Sequence, residues 1–333
     1  MAEALQAGYD AVLLDLDGTV YQGSRPIPGA AEAVCGLRER RIGVRFVTNN
    51  ASKAPEDVVE HLRGLGIDAE PAEVSTSAQA AASLLRGRLA PGATVVVVGA
   101  PALEAEVAAA GLRPVRKAEE EVAAVVQGHW TETGWRDLAE ACVAIRAGAL
   151  WVACNVDATL PTERGELPGN GSMVAVLRTA TRTEPVVAGK PEAPLFLTAV
   201  SSAGASKALA VGDRLDTDIA GAVAAGLDSL AVLTGVATPA ALLSAVPAER
   251  PTYLGADLSS LAFSADELRI GPRQDWRVRS GDGTLTVSAH GSPDSLDLLR
   301  ALCHVAWETG VTAVRAADER AASALAGLGL TPS

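Results

Sequence analysis

The stretch LLDLDGTV, residues 13–20, places two carboxylates, Asp15 and Asp17, at the end of an apolar run. The run AVLL at 11–14 is typical of a strand buried on both faces of a parallel sheet, and Gly18 allows a turn after it. Open α/β sheets bind their ligands at the carboxyl ends of such strands. The two acids are therefore candidates for a functional site, although a lone pair of this kind also serves to cap turns.

The composition indicates a folded chain of two or three domains. Of the 333 residues, 48% are hydrophobic and 20% are charged, as in globular proteins. No stretch reaches the roughly 18 uncharged apolar residues of a membrane span, and the N-terminus lacks a signal-peptide pattern, which predicts a cytoplasmic protein. The net charge of −12 argues against nucleic-acid binding. The four cysteines lack the spacing of a zinc site or a disulfide framework.

Alternating strand and helix patterns predict an α/β chain with a doubly wound parallel sheet. Strands are predicted at 43–47, 94–98, 122–127, 149–154, 207–211 and 230–233. The core pattern stops and later returns, so residues 83–184 are predicted to be an insertion between the two halves of one core domain, 8–82 and 185–265. A hairpin turning at Asp282-Gly283, then a helix, a strand at 311–314 and a last helix predict a small α+β domain over 272–333.

The segments between these patterns are predicted as connections. A polar loop is expected at 22–28, a long loop at 155–171 and a domain boundary at about 247–272. The residues Trp135, Leu138, Cys142 and Ile145 recur at helical spacing and predict a helix that buries one face.

Four polar groups lie at predicted strand ends or helix starts of the core: Asp15 with Asp17, the TNN stretch at 48–50, Lys190, and Asp213 with Asp216 and Asp218. The sheet topology gathers them at one edge. Because the acids alone would repel one another, a divalent cation is expected among them, and Mg²⁺ suits a few carboxylates, waters and a phosphate oxygen.

These residue types support phosphoryl transfer. Asp15 can attack phosphorus to form an aspartyl phosphate, and Asp17 can protonate the leaving alkoxide and then deprotonate water. Thr48 and Asn49 can donate hydrogen bonds to phosphoryl oxygens, while the Lys190 ammonium stabilises negative charge.

The motifs DLDGT, TNN, GKP and GDRLDTD occur in the order found in the haloacid dehalogenase superfamily of phosphatases, which the chain resembles over residues 8–265. The insertion and the stretches NVDATLPTERGELPGNG and EPVVAGKPEAPLF resemble the branch with a type 2 cap, which includes p-nitrophenyl, phosphoglycolate and pyridoxal phosphatases. The resemblance implies a Rossmann-like core, an α/β cap over 83–184 and Mg²⁺ as cofactor.

The same resemblance implies roles for individual residues. Asp15 is the nucleophile, Asp17 the acid/base, and Thr48 and Lys190 are phosphate ligands. The ligands of Mg²⁺ are Asp15, the carbonyl of Asp17 and Asp213, with Asp218 in a supporting role. For Asp216, capping of the following helix is as good an interpretation as a catalytic role.

The cap and the tail bear on the substrate. A large cap excludes water and favours a small phosphorylated metabolite. His129 and Trp130 are candidate substrate contacts, with a packing role for Trp130 as the alternative. The tail is partly similar to an acetyltransferase and resembles that of bacterial enzymes acting on glycerol 3-phosphate. Its expected role is packing against the rest of the chain, formation of a homodimer, or regulation.

Glycerol 3-phosphate is therefore the first expected substrate, with 2-phosphoglycolate, pyridoxal 5′-phosphate and nucleotides as alternatives. A phosphotransferase, or a sensor of phosphorylated metabolites without enzymatic activity, would use the same binding groups. The paired acids Asp15 and Asp17 favour an enzyme, because a sensor has no need of an acid/base beside a nucleophile.

Overall fold

The computed structural model describes residues 3–119, 121–162, 164–291 and 294–330. Within them the strands are β1 (Ala11–Asp15), β2 (Tyr21–Gln22), β3 (Arg25–Pro26), β4 (Gly43–Thr48), β5 (Val74–Thr76), β6 (Thr94–Val98), β7 (Arg113–Val115), β8 (Ala124–Gln127), β9 (Leu150–Ala153), β10 (Thr159–Thr162), β11 (Gly165–Pro168), β12 (Val186–Val187), β13 (Ala208–Gly212), β14 (Asp228–Val232), β15 (Tyr253–Gly255), β16 (Trp276–Gly281), β17 (Thr284–Ala289) and β18 (Val314–Ala316).

The helices of the same residues are α1 (Ala30–Glu39), α2 (Pro55–Gly64), α3 (Ser77–Arg88), α4 (Pro101–Ala109), α5 (Trp135–Arg146), α6 (Asn170–Thr181), α7 (Pro194–Ala203), α8 (Ala220–Ala224), α9 (Pro239–Leu243), α10 (Ala265–Leu268), α11 (Ser295–Thr309) and α12 (Glu319–Gly327). A π-helical turn, Leu215–Ile219, precedes α8. Among the described residues, none of the helices is both long enough and apolar enough to cross a membrane.

The chain divides into two compact units, of which the first comprises residues 1–44, 65–67 and 205–333. Its parallel strands are ordered β15-β14-β13-β1. Both β1 and β13 are almost entirely buried, as their uninterrupted apolar sequences predict. In their pairing Leu14 lies opposite Val211, so Asp15 and Asp213 follow at the same carboxyl edge.

The second unit comprises residues 45–64 and 68–204. It contains a five-stranded parallel sheet in the order β12-β9-β8-β6-β7. A buried cluster that includes Val96, Val125, Trp151, Val174 and Leu177 joins this sheet to α5 and α6. Strand β4 pairs in parallel with β5 over Phe46–Thr48 opposite Val74–Thr76, so the TNN stretch begins at a strand end.

The C-terminal part of the first unit is a three-stranded sheet, β16-β17-β18, with α11 and α12. The predicted hairpin is confirmed: β16 and β17 are antiparallel, and Asp282 and Gly283 have φ of 49° and 70°, as a two-residue turn of type I′ requires. Apolar residues of α11 belong to the same buried cluster as Leu242 and Leu254 of the preceding segment. The tail is therefore part of the hydrophobic core of this unit.

Two predicted connections prove to contain strands. The long loop predicted at 155–171 holds the antiparallel pair β10 and β11, and α6 begins at Asn170; Glu163 within it lies outside the described residues. Leu160 and Leu167 are both partly exposed, so neither strand has the alternation that would have indicated it. The boundary predicted at 247–272 contains β15, which pairs with β14 as a member of the core sheet.

The structure also differs from three smaller predictions. The loop predicted at 22–28 includes the short hairpin of β2 and β3. Strand β18 begins only at Val314, where its pairing with β17 starts. Trp135 is 81% exposed because it occupies the first position of α5, before the buried face of that helix begins.

The predicted domain bounds, 8–82 plus 185–265, 83–184 and 272–333, remain predictions. Residues 331–333 of the last domain lie outside the described residues.

Candidate active site

Three carboxylates of the first unit form a cluster at the carboxyl ends of β1 and β13. Asp15 is half-buried, whereas Asp213 and Asp218 are only 1% and 2% exposed. One oxygen from each lies within 4.8 Å of the others. Holding three acids this close together, two of them buried, is costly unless a cation balances their charge.

The spacing of these oxygens fits Mg²⁺. The ion binds oxygen at about 2.0–2.1 Å in an octahedron, so ligands on opposite sides of it are about 4.2 Å apart. A set of carboxylate oxygens within 4.8 Å of one another can therefore converge on one ion after small side-chain rotations. All three donors are hard oxygens, which Mg²⁺ prefers.

The carboxylate of Asp213 is held by hydrogen bonds from two directions. The N–H of Val236 donates to Oδ2 at 2.7 Å, and the hydroxyl of Thr19 donates to Oδ1 at 3.3 Å. The Asp213 carbonyl also accepts from the N–H of Ala237 at 2.8 Å. These contacts fix the side chain before any ligand binds.

Two glycines make room for this carboxylate. A Cβ on either Gly18 or Gly235 would overlap the Asp213 side chain. Gly18 also has φ of 89°, a conformation that residues with a Cβ rarely adopt. The glycine of the DLDGT motif is therefore required by both the backbone and the neighbouring acid.

Asp216 and Asp218 differ in their surroundings, although both lie in the π-helical turn. Asp218 is buried, and its Oδ2 accepts a hydrogen bond from the N–H of Arg214 at 3.0 Å. Asp216 is exposed and pairs with the Arg214 guanidinium at 2.8 Å and 3.1 Å. This hydrogen bonding holds the pKa of Asp216 below its usual range. The exposed ion pair accounts for Asp216 without a role in the cluster, and the buried Asp218 belongs to it.

Asp17 lies just beyond the cluster and is exposed to solvent. Its Oδ1 accepts a hydrogen bond from the N–H of Gly23 at 3.2 Å. Sequence reasoning missed Tyr21, whose pKa is raised by burial and then by the negative charges of Asp17 and Asp15. The tyrosine is therefore neutral, and a β-bridge joins its backbone to that of Asp17. Tyr21 comes two residues after the DLDGT motif, so the motif itself did not point to it.

In the second unit the TNN stretch organises the loop after β4. The hydroxyl of Thr48 accepts from the N–H of Asn50 at 3.1 Å. The side-chain carbonyl of Asn50 accepts from the N–H and the hydroxyl of Ser52 at 2.7 Å and 2.8 Å. Local hydrogen bonds of this kind stabilise a tight turn between the strand and α2.

The structure brings the TNN stretch and the GKP stretch together. Asn49 Oδ1 accepts from the N–H of Lys190 at 2.8 Å, and Asn49 Nδ2 donates to the Lys190 carbonyl at 3.0 Å. Lys190 is only 3% exposed. Two further residues missed as site candidates, Asn155 and Asp157, also contact Asn49. They belong to the 155–171 segment that was predicted as a long loop, and its composition did not single them out.

The segment Gly128–Trp130 lies close to the TNN loop. A Cβ on Gly128 would be 3.0 Å from the Cβ of Ala51, which is a tight contact, so the two backbone segments pass close to each other. His129 and Trp130 are both half-buried. The Arg116 guanidinium stacks 5.2 Å from the centre of the Trp130 ring, which favours a packing role for this tryptophan. The substrate contact predicted for His129 stays a prediction.

Three family profiles match the chain. The profile described as haloacid dehalogenase-like hydrolase matches residues 12–113, and a HAD-hydrolase-like profile matches 187–261. A profile described as a GCN5-related N-acetyltransferase like domain matches residues 273–330.

Curated relatives and a solved structure agree with these profiles. The chain is 52% identical to the D-glycerol 3-phosphate phosphatase of Mycobacterium tuberculosis, over 95% of this chain and 93% of the relative. It is 40% identical to the acid sugar phosphatase of Staphylococcus aureus, over 69% of this chain and 88% of the relative.

The crystal structure of a glycerol phosphate phosphatase from M. tuberculosis in complex with magnesium superimposes with a TM-score of 0.95 at 52% identity, covering 99% of this chain and 100% of that one. With such identity over nearly the whole length, the chain belongs to the haloacid dehalogenase-like hydrolases.

Proposed function

We propose that the protein is a Mg²⁺-dependent phosphatase that hydrolyses glycerol 3-phosphate to glycerol and phosphate through an aspartyl phosphate. The cluster of the half-buried Asp15 with the buried Asp213 and Asp218 carries this proposal, because it is costly for stability and suited to a hard cation. The relatives named phosphatases support the same chemistry.

In the proposed reaction, a carboxylate oxygen of Asp15 attacks phosphorus, and the bond from phosphorus to the ester oxygen breaks. Asp17 gives its proton to the leaving alkoxide, and its exposure to solvent suits an exchangeable proton. Asp17 then takes a proton from a water molecule as that water attacks the aspartyl phosphate. Phosphate leaves, and Asp15 is free again.

Mg²⁺ would be held by Asp15, the Asp17 carbonyl and Asp213, with Asp218 close by in the cluster. When bound, it cancels the repulsion between the nucleophilic carboxylate and the anionic phosphoryl group. Thr48 and Lys190 are the proposed phosphate ligands, following the family motifs. A buried ammonium such as that of Lys190 stabilises negative charge more strongly than one in water.

The choice of glycerol 3-phosphate is supported by the relative named D-glycerol 3-phosphate phosphatase, which matches almost the whole chain, tail included. The acid sugar phosphatase matches 69% of the chain. Another small phosphomonoester, such as 2-phosphoglycolate, is the second candidate. A cytoplasmic location and a homodimer remain predictions from the sequence.

The test is phosphate release from glycerol 3-phosphate, 2-phosphoglycolate, pyridoxal 5′-phosphate, sugar phosphates and nucleotides, each with Mg²⁺ and with EDTA. Turnover that requires Mg²⁺ and prefers glycerol 3-phosphate is expected. A preference for another ester would overturn the substrate, and an absence of hydrolysis by folded, Mg²⁺-loaded protein would overturn the reaction.

Asp15→Asn is the matched variant for this test. It keeps the size of the side chain but removes the nucleophile, so turnover should fall to background while the thermal unfolding midpoint stays within a few degrees of the wild type. Circular dichroism at increasing temperature measures the second quantity. Normal turnover in Asp15→Asn would rule out this residue as the nucleophile.

A further inference from the structure

Asn49 is the centre of a hydrogen-bond network within the second unit. Its main-chain carbonyl accepts from Asn155 Nδ2 at 2.7 Å and from the Ser77 hydroxyl at 2.6 Å. Its side-chain Nδ2 lies 3.3 Å and 3.4 Å from the two carboxylate oxygens of Asp157. Asp157 is itself fixed, because its N–H donates to Asn155 Oδ1 at 3.2 Å.

The Asn49 side chain also forms two hydrogen bonds with the backbone of Lys190. Oδ1 accepts from the Lys190 N–H at 2.8 Å, while Nδ2 donates to the Lys190 carbonyl at 3.0 Å. A Cβ on Gly189 would overlap Asn49 Oδ1 and the carbonyl of Cys154, so the preceding residue has to be glycine for this approach. The backbone that carries Lys190 is thus held by Asn49 on one side and by the end of β9 on the other.

The network allows only one orientation of the Asn49 amide. Nδ2 faces two acceptors, the Asp157 carboxylate and the Lys190 carbonyl, whereas Oδ1 faces a donor. Turning the amide over would set oxygen against oxygen and N–H against N–H. The negative charge of Asp157 strengthens the bond that selects the correct orientation.

We propose that Asn49 and Asp157 are positioning residues for Lys190: the Asp157 carboxylate orients the Asn49 amide, and the amide fixes the main chain from which the Lys190 ammonium extends. This inference rests on the proposed function, in which that ammonium stabilises the phosphoryl group. It also changes the role predicted for Asn49, since its side-chain oxygen and nitrogen are both engaged by Lys190 and Asp157 instead of being directed to phosphate.

A small displacement of Lys190 should lower the rate of the chemical step. Misplacing a charged group by about 1 Å can cost about 100-fold in rate, because the charge it stabilises is largest in the transition state. The loss should therefore fall mainly on kcat. A residue that bound phosphate equally in the substrate and in the transition state would instead affect mainly KM.

The experiment is a double-mutant cycle on the full chain with Mg²⁺ and glycerol 3-phosphate. Asn49→Asp replaces the Nδ2 donor with an oxygen that faces the Asp157 carboxylate, and kcat should fall about 100-fold. Asp157→Asn keeps an acceptor for Asn49 and should cost less than about 10-fold. In the double variant an amide again faces a carboxylate, but position 49 still presents an oxygen to the Lys190 carbonyl, so kcat should recover only in part, about 10-fold relative to Asn49→Asp.

Asn50→Asp is the control for added charge. It introduces the same negative charge one residue along the chain, and a carboxylate there retains both hydrogen bonds from Ser52. The difference between Asn49→Asp and Asn50→Asp therefore isolates the loss of the Nδ2 donor. Thermal unfolding of every variant verifies that it is folded. If Asn49→Asp does not fold, the cycle is run with Asn49→Ala and Asp157→Ala. The fold loss in kcat of that double variant should be less than the product of the two single fold losses.

Three results would overturn the inference while wild-type turnover is normal: kcat of Asn49→Asp within about threefold of the wild type, a change confined to KM, or independent effects of the two substitutions. Absence of phosphate release by the wild type would instead overturn the proposed function and the inference with it.

Discussion

At the scale of single residues, the geometry of the candidate metal cluster depends on two glycines beside it. Gly18 and Gly235 both lie where a Cβ would overlap Asp213, and the Asp213 carboxylate receives hydrogen bonds from Val236 and Thr19 in the space that they leave. The position of a buried carboxylate is thus determined by its neighbours as much as by its own backbone. Changing a glycine should therefore disturb the chemistry although the glycine has none of its own.

Gly18→Ala tests this dependence. The new Cβ would overlap the Asp213 carboxylate at a backbone φ of 89°, so Asp213 has to move. Turnover with Mg²⁺ should fall about 100-fold or more, and half-saturation should require more Mg²⁺; a metal titration of phosphate release measures both.

Gly226→Ala is the matched control for Gly18→Ala. It also has a positive φ, 71°, but open space around the missing Cβ, so it should lose only about 1 kcal/mol of stability. Equal turnover by the two variants would mean that the position of Asp213 does not depend on Gly18.

At the scale of elements, β1 and β13 are tied together at their amino ends as well as along their length. The Asp10 carboxylate accepts hydrogen bonds from the N–H and hydroxyl of Ser206 at 2.8 Å and 2.6 Å and from the N–H of Lys207 at 3.0 Å. Asp10 directly precedes β1, and Lys207 directly precedes β13. This contact helps set the register that brings Asp15 and Asp213 to the same edge.

The contact should make stability depend on pH. The hydrogen bonds from Ser206 hold the pKa of Asp10 below its usual range, so the ionised form favours the folded state. The stabilisation from the ionised Asp10 carboxylate is fully present above the pKa of this group in the unfolded state, about 3.9. It is lost as the pH falls through the lower pKa that the group has in the folded state. Asp10→Asn should therefore reduce the free energy of unfolding by about 1 kcal/mol at pH 7, a modest value because the site is exposed to solvent.

Urea unfolding of the wild type and of Asp10→Asn at pH 7 and at pH 3 measures this difference, which should shrink at the lower pH. A difference between wild type and Asp10→Asn that is independent of pH would contradict the assignment.

How far the sequence predicts an element depends on whether its signal is local. The buried strands β1, β6 and β13 were predicted because each is a continuous apolar run, and the hairpin at Asp282-Gly283 because its turn residues are distinctive. The side chains of β11 and the described ones of β10 are exposed, and β15 is only three residues long, so neither periodicity nor length indicated these strands.

The candidate site shows the same division. Asp15, Asp213 and Lys190 lie in compact motifs, so they could be found from the sequence alone. The contact between Asn49 and Asp157 joins residues 108 positions apart, and no local pattern records it. A contact of this kind depends on how β4 and β9 are placed in the folded unit.

At the scale of the whole molecule, the tail forms the small α+β domain that was expected, and its apolar residues also pack in one cluster with residues of the preceding segment. Leu298, Leu302 and Leu325 are fully buried in the same cluster as Leu242 and Leu254. Polar contacts add to this packing: the Arg300 guanidinium donates to the Leu254 carbonyl at 2.8 Å and 3.0 Å, and Trp307 Nε1 donates to the Leu242 carbonyl at 2.8 Å.

Removal of residues 273–333 should therefore destabilise the first unit although every proposed catalytic residue remains. Leu242 and Leu254, both now 0% exposed, would face water, and each fully buried leucine contributes about 1.5–3 kcal/mol, a large share of the 5–15 kcal/mol that holds a typical domain folded. The shortened chain should aggregate or unfold at a lower temperature.

A milder change in the intact chain separates this effect from the simple loss of residues. Leu302→Ala should cost about 2–5 kcal/mol. Because the core is shared, the protection of the α11 amides from hydrogen exchange and the Mg²⁺-dependent turnover should be lost at one unfolding midpoint, lowered together. If turnover persists above the temperature at which the protection of α11 is lost, or if the shortened chain is soluble with an unchanged midpoint, the tail folds independently and the shared core adds little to the stability of the unit.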